Sequence, residues 1–168
     1  MRLRSMTTSD NSAVREVIHT VMPEFGAVGP GFALSDPEVD AMAEAYAGPG
    51  HAYVVIEDAR GNIVGGGGFA PLEGGPSDVA ELRKMYLYAS VRGQGLGRRL
   101  LQHLIEGARK AGFRHLYLET MGNMTSAQAL YERFGFRRLD GPWGQTGHGG
   151  CDVHYAKDLA PSSINSTP

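Results

Sequence analysis

Six contiguous residues, Arg92-Gly93-Gln94-Gly95-Leu96-Gly97, have the makings of an anion site. Glycine lacks a Cβ, so the chain can take φ > 0 and let a phosphate approach the backbone closely. The segment runs from a strand-like stretch into an amphipathic helix, whose first-turn N–H groups and positive dipole end favour negative charge. Arg92, Arg98 and Arg99 bracket the turn with fixed positive charge suited to phosphate oxygens. No Gly-Lys-Ser/Thr follows, so the lysine and magnesium-binding hydroxyl of a P-loop are missing. The spacing G-x-G-x-G also departs from the dinucleotide fingerprint G-x-G-x-x-G. A second glycine run, Gly65 to Gly68, lies between strand-like residues and reads as a bulge or a close backbone contact.

Further along, Leu130-Tyr131-Glu132-Arg133-Phe134-Gly135-Phe136 supplies a second motif. Arg92-x-x-Gly95-x-Gly97 resembles the acyl-coenzyme A pyrophosphate loop of the GCN5-related N-acetyltransferases (GNAT), and the second motif resembles that family's Leu-Tyr-x-x-x-Gly-Phe. The two occur in order, separated by one helix and one strand. The resemblance covers roughly residues 2 to 159 and is strongest from Ala80 to Leu139. It implies acetyl-coenzyme A as co-substrate, with the pantetheine arm pairing like an added strand along Met85-Tyr86-Leu87 and the pyrophosphate on Gly93 to Arg98.

Acetyl transfer from a thioester to an amine requires an uncharged nucleophile, a polarised carbonyl and a stabilised leaving thiolate. By resemblance, Tyr131 is the general acid near the sulfur. Its plainer reading is a core tyrosine beside Leu130. Two carboxylates compete for the base. Glu81 resembles the base of histone-type members and is the first choice, acting through a water. Glu119 resembles the base of members that acetylate ribosomal-protein N-termini and is the second. Strand alternation puts Glu81, Arg83, Met85 and Leu87 on one face, and Glu119 on a face with His115 and Tyr117. Either carboxylate could instead be paired structurally with an arginine, Arg83 in the case of Glu81. A backbone N–H around Met85 is expected to polarise the carbonyl. Many relatives carry an asparagine seven residues before the tyrosine, where this chain has Met124, with Asn123 adjacent.

His148-x-x-Cys151-x-x-His154 has metal-ligand chemistry, but Cys151 and His154 point oppositely once a strand begins, so no metal is expected. Cys151 is expected in the core, with His148 lining the acceptor pocket. It is the only cysteine and lies far along the chain from the cofactor motif, which favours direct transfer in a ternary complex over an acyl-enzyme. The acceptor expected is a small amine or amino-acid-like molecule. Glu24, Asp36, Glu73 and Asp78 form a carboxylate-rich rim that would suit a cation. A protein or peptide acceptor stays open, as does a non-catalytic acyl-coenzyme A sensor.

The elements that must position these residues follow from periodicity. At 168 residues, 42% hydrophobic and 20% charged, the composition suits one domain, expected over 1–160, with a disordered polar tail over 161–168. A net charge of −2 with no basic stripe gives no reason to invoke nucleic acid. No apolar run approaches the length of a membrane span, and Met1 to Ser5 lacks the apolar stretch of a signal peptide, so a cytoplasmic protein is expected. Helices are expected at Val14 to Val21, from a Ser35-x-x-Glu38 capping box to about Ala47, from Leu96 to Gly112, and over Ser126 to Phe134. Strands are expected at 1–6, 52–57, 63–70, 79–88, 115–120, 136–139 and 151–159. Early antiparallel strands followed by strand-helix-strand crossovers argue for an α/β fold. It has a mixed central sheet with helices on both faces. The GNAT resemblance adds splayed middle strands, and exposed strands near the C-terminus suit a homodimer.

Overall fold

A computed structural model describes residues 1–159; the segment expected to be a tail lies outside them. The chain begins with β1 (Arg2–Ser5), α1 (Asn11–Glu24) and the short α2 (Met42–Ala45). It continues through β2 (Ala52–Glu57), β3 (Ile63–Pro71), β4 (Val79–Leu87), α3 (Leu96–Lys110) and β5 (His115–Thr120). The last elements are α4 (Thr125–Arg133), β6 (Arg137–Arg138) and β7 (Val153–Asp158). The sheet has the order β1-β2-β3-β4-β5-β7-β6, antiparallel throughout except for β4 against β5.

Two apolar layers cover the sheet. On one face α3 contributes Leu100, Leu101, Leu104 and Ala108, which pack on Val54, Ile56, Ala80, Leu82, Leu116 and Leu118. On the other α1 contributes Val14, Val17, Ile18 and Val21, which pack on Tyr53, Val55 and Ala70. Alternate residues of β2 thus belong to opposite layers, and the strand reads as a nearly continuous apolar run because both faces are buried.

Three features set the geometry of the centre. Parallel pairing of β4 with β5 covers only Val79 to Glu81 against His115 to Tyr117, so the strands part beyond Glu81 and Tyr117. Among the described residues, the edge of β4 from Leu82 to Leu87 that faces β5 has no strand partner. Second, β3 and β4 slip register between Gly66 and Gly68, opposite Lys84, whose φ of 51° places a non-glycine residue in the left-handed region. Tyr53 Oη donates to the Lys84 carbonyl at 2.9 Å and pins this bulge from the neighbouring strand. Third, the glycine run lets other groups come close. A Cβ on Gly68 would lie 2.5 Å from the Ala52 carbonyl oxygen, and one on Gly66 2.7 Å from the Tyr53 ring.

The bulge corrects the expected alternation. Glu81 and Arg83 share a face, but Met85 and Leu87 pack into the α3 layer with Leu82, while Tyr86 packs into the α1 layer. A second correction concerns residues 35 to 47. Instead of one capped helix there are 3-10 turns over Ala33–Ser35 and Pro37–Ala41 and a single α turn at Met42–Ala45. The Ser35 hydroxyl donates to the Gly29 carbonyl, and the Glu38 carboxylate reaches Lys84, so neither closes a capping box.

Candidate active site

Four neighbouring cavities, each sharing lining residues with the next, lie where β4 and β5 part. An outer groove of about 860 Å³ runs between α3 and α4 and is lined by Gly93, Gly95, Gly97, Arg98 and Leu130. It shares Gly93, Gly97 and Leu130 with a cleft of about 420 Å³ that adds Met85, Tyr86, Leu87, Arg92 and Tyr131. That cleft shares Met85, Tyr86 and Tyr131 with an inner chamber of about 60 Å³, to which Glu119 and Cys151 belong. Lys84 lines this chamber and also a cleft of about 320 Å³ beyond it, bounded by Asp36, Glu38, Glu73, Arg83, Thr146 and His148.

The turn before α3 is built from backbone. Gly93 and Gly95 both have φ of 76°, and Gly95 caps the helix. The helix ladder opens with the Arg99 N–H donating to the Gly95 carbonyl at 3.1 Å, which leaves the amides of Leu96, Gly97 and Arg98 outside it. A Cβ on Gly97 would meet Leu130 and Met85 at 3.6 and 3.8 Å, so glycine here keeps the passage between α3 and α4 wide. Arg98 lines the groove. Arg92 is engaged differently: its Nε donates to the Leu87 carbonyl at 2.9 Å, its Nη1 pairs with Glu24 at 2.7 Å, and it stacks over Phe25. It therefore ties the end of β4 to α1 and its following residue. Gln94 donates to the Ser90 carbonyl.

Tyr131 is 7% exposed and packs against Phe136 and Tyr155, yet it borders both the cleft and the chamber. Burial, the larger cause, and Cys151 push its phenol up to about 12, so it holds its proton at neutral pH. Met124 lines the cleft and the chamber, while Asn123 donates to the Phe25 carbonyl at 2.9 Å and joins the start of α4 to the end of α1.

The two carboxylates stand in different surroundings. Glu81 is 2% exposed; Arg83 Nε donates to its Oε2 at 2.6 Å, and His148 Nδ1 lies 3.7 Å from its Oε1. Glu119 borders the chamber. Its Oε1 accepts from Tyr117 at 2.7 Å and Thr146 at 3.0 Å, while Oε2 makes no hydrogen bond among the described residues. The structure thus brings Glu119 and Tyr131 together on one chamber and sets Glu81 behind Arg83 and His148.

Several groups here were hidden in the sequence. Lys84 bridges Asp36 at 2.7 Å and Glu38 at 2.5 Å, and His148 Nε2 donates to the same Asp36 oxygen at 3.0 Å. Hydrogen bonding to Asp36 and then Glu81 raises the His148 imidazole to about 9, so it is cationic at neutral pH. The chain of charges links loop residues 36 and 148 to β4. The same two loops also meet where the Gly150 N–H donates to the Gly31 carbonyl. Two rim carboxylates are accordingly taken: Glu24 pairs with Arg92, and Asp36 with Lys84 and His148. Of the expected acidic rim, these two are therefore not free for a cation. Cys151, distant in the chain, borders the chamber, half-buried rather than in the core. Burial and nearby carboxylates push its thiol up to about 12. His148, Cys151 and His154 diverge, with His154 stacked on Tyr117. Trp143 also stacks on that ring, at 5.7 Å between centroids.

The acetyltransferase (GNAT) family model matches residues 15–136, and the chain belongs to that family of acetyl-coenzyme A-dependent N-acetyltransferases. It is 43% identical over 158 residues to the uncharacterized N-acetyltransferase YjgM of Escherichia coli K12, covering 94% of each chain. A GNAT-family acetyltransferase from Staphylococcus aureus Mu50 superposes with a TM-score of 0.83 at 21% identity, over 95% of this chain and 99% of the other. The putative acetyltransferase yncA of Salmonella typhimurium, solved with acetyl-CoA, gives 0.73 at 22% identity, over 97% and 98%.

Proposed function

We propose that the protein transfers acetyl from acetyl-coenzyme A to the primary amine of a small acceptor by direct attack in a ternary complex. The observation that carries this is the shared chamber: Glu119 and Tyr131 border the same space, the innermost of three cavities that share lining residues from the Gly93–Arg98 turn inward. In this reading the amides of Leu96 to Arg98 hold the pyrophosphate, and the free edge of β4 at Met85 to Leu87 pairs with pantetheine. Glu119, with Oε2 uncommitted, takes the proton from the incoming ammonium or amine. Tyr131, protonated at neutral pH, hydrogen-bonds or protonates the departing thiolate. The bulge at Lys84 redirects the backbone beside Met85, which supports an amide there polarising the thioester carbonyl.

Glu81 is the weaker base candidate, because Arg83 and His148 both favour its carboxylate as a fixed counter-ion. Cys151 borders the chamber, but a thiol held near 12 is a poor nucleophile at neutral pH, which supports direct transfer without an acyl-enzyme. Acceptors enter from the side of Lys84, His148 and Thr146. The test is thiol release from acetyl-coenzyme A across a panel of amines. Acceptor-dependent release with sequential kinetics is expected; tight cofactor binding with no acceptor turned over would mark a sensor instead.

A further inference from the structure

Arg83 holds an incompletely used guanidinium. Its Nε is engaged by Glu81, but its two terminal nitrogens make no hydrogen bond among the described residues, although the side chain is only 14% exposed. It lines the 320 Å³ cleft beside the chamber. The other cations there are committed: Lys84 to Asp36 and Glu38, His148 to Asp36 and Glu81. The charges of Lys84, His148 and Arg83 balance those of Asp36, Glu38 and Glu81, so what Arg83 still offers is a pair of unused N–H donors rather than surplus charge. A planar pair of N–H donors matches a carboxylate bidentately. Nearby, the Tyr46 hydroxyl is buried without a hydrogen-bond partner among the described residues and feels the charges of Glu38, Arg83 and Glu81.

Register places this fork relative to the chemistry. Glu81 and Tyr117 are direct partners in the last paired rung of β4 and β5. Arg83 and Glu119 each lie two residues further along parallel strands, on the same face, and so stand opposite one another across the opening. We infer that the acceptor is an amino acid in the chemical sense, a molecule with one carboxylate and a primary amine a few bonds apart, its carboxylate held by Arg83 while the amine points toward Glu119. Exposed Glu73 on the rim disfavours a second carboxylate. This rests on the acetyl-transfer reading above for the direction of the amine, but not for the carboxylate site.

The experiment compares matched triples, an amino acid, its carboxamide and its decarboxylated amine, by calorimetry on the coenzyme A-loaded protein and by turnover with acetyl-coenzyme A. Wild type is expected to bind the acid roughly tenfold or more tightly than either analogue. Arg83→Lys keeps a cation beside Glu81 but removes the fork, and is expected to bring the acid to the level of the carboxamide through KM. Its coenzyme A affinity should stay unchanged. Equal binding of all three by wild type, binding of none across the amino-acid panel, or an equal loss for all three in Arg83→Lys would overturn the inference. Acids bound with preference but never acetylated would leave the fork standing and defeat the transfer reading. Amines acetylated without regard to a carboxylate would do the reverse.

Discussion

The two ends of the passage are made of different material. At the outer end the turn before α3 presents main-chain amides, two glycines at positive φ and a helix terminus. At the inner end the surface is side chain: Arg83, Lys84, Asp36, His148, Thr146 and Glu119, drawn from two loops and two strands. A main-chain site depends on backbone conformation and tolerates changes in its flanking side chains. A side-chain site depends on single atoms. Substitutions should therefore separate cleanly, those inside altering turnover with cofactor affinity intact, those at the turn altering cofactor affinity.

Tyr131→Phe should lower kcat by about 10²-fold with coenzyme A affinity unchanged, as stopped assays and calorimetry on one preparation would show. An unaltered kcat would return this ring to a packing role. Next in size, Gly95→Val puts a β-branched residue at a φ of 76° and should weaken coenzyme A binding by roughly tenfold or more through backbone strain and lost amide alignment. Intact affinity there would mean that the turn does not carry the diphosphate.

His148 allows the ion-pair region to be probed by stability alone. Its pKa is raised from the ordinary 6.5 to about 9 in the folded protein, so the folded state binds the proton more tightly than the unfolded chain. The associated stabilisation is complete below about pH 6.5 and disappears as pH rises through 9, amounting to roughly 3 kcal/mol. His148→Gln should flatten denaturant midpoints across that window, and a wild-type curve already flat from pH 6.5 to 9 would contradict the network. Smallest of all, Cys151→Ala should leave kcat within about twofold, whereas loss of turnover with trapped acetyl on the wild-type thiol would require an acyl-enzyme.

The same contrast explains what could be read from the residues in order. The cofactor end is local: Arg92 to Gly97 are contiguous, their glycines announce the backbone, and α3 follows at once. β2 at Ala52–Glu57 and β5 at His115–Thr120 fall where periodicity placed them, because each is a short apolar run between breakers. The inner end is assembled across 112 residues from Asp36 to His148, and no spacing rule joins them. Ser35-x-x-Glu38 has the pattern of a helix cap, but Lys84 claims Glu38, and that contact exists only after the sheet forms. The left-handed Lys84 was equally hidden, since it depends on Tyr53 and on a slip opposite Gly66 and Gly68. Glycines at 65–68 signalled an irregularity without saying which strand would absorb it. Cys151 illustrates the opposite error, since distance along the chain said nothing about its place beside Tyr131.

The choice of base is the point on which the chemistry turns, and the pH dependence of kcat for wild type, Glu119→Gln and Glu81→Gln addresses it directly. The Glu119 variant should lose the rising limb and fall by about 10² to 10⁴-fold, while Glu81→Gln keeps the limb and loses folding stability instead. A Glu119→Gln enzyme that retains a wild-type profile would contradict the role given to this carboxylate.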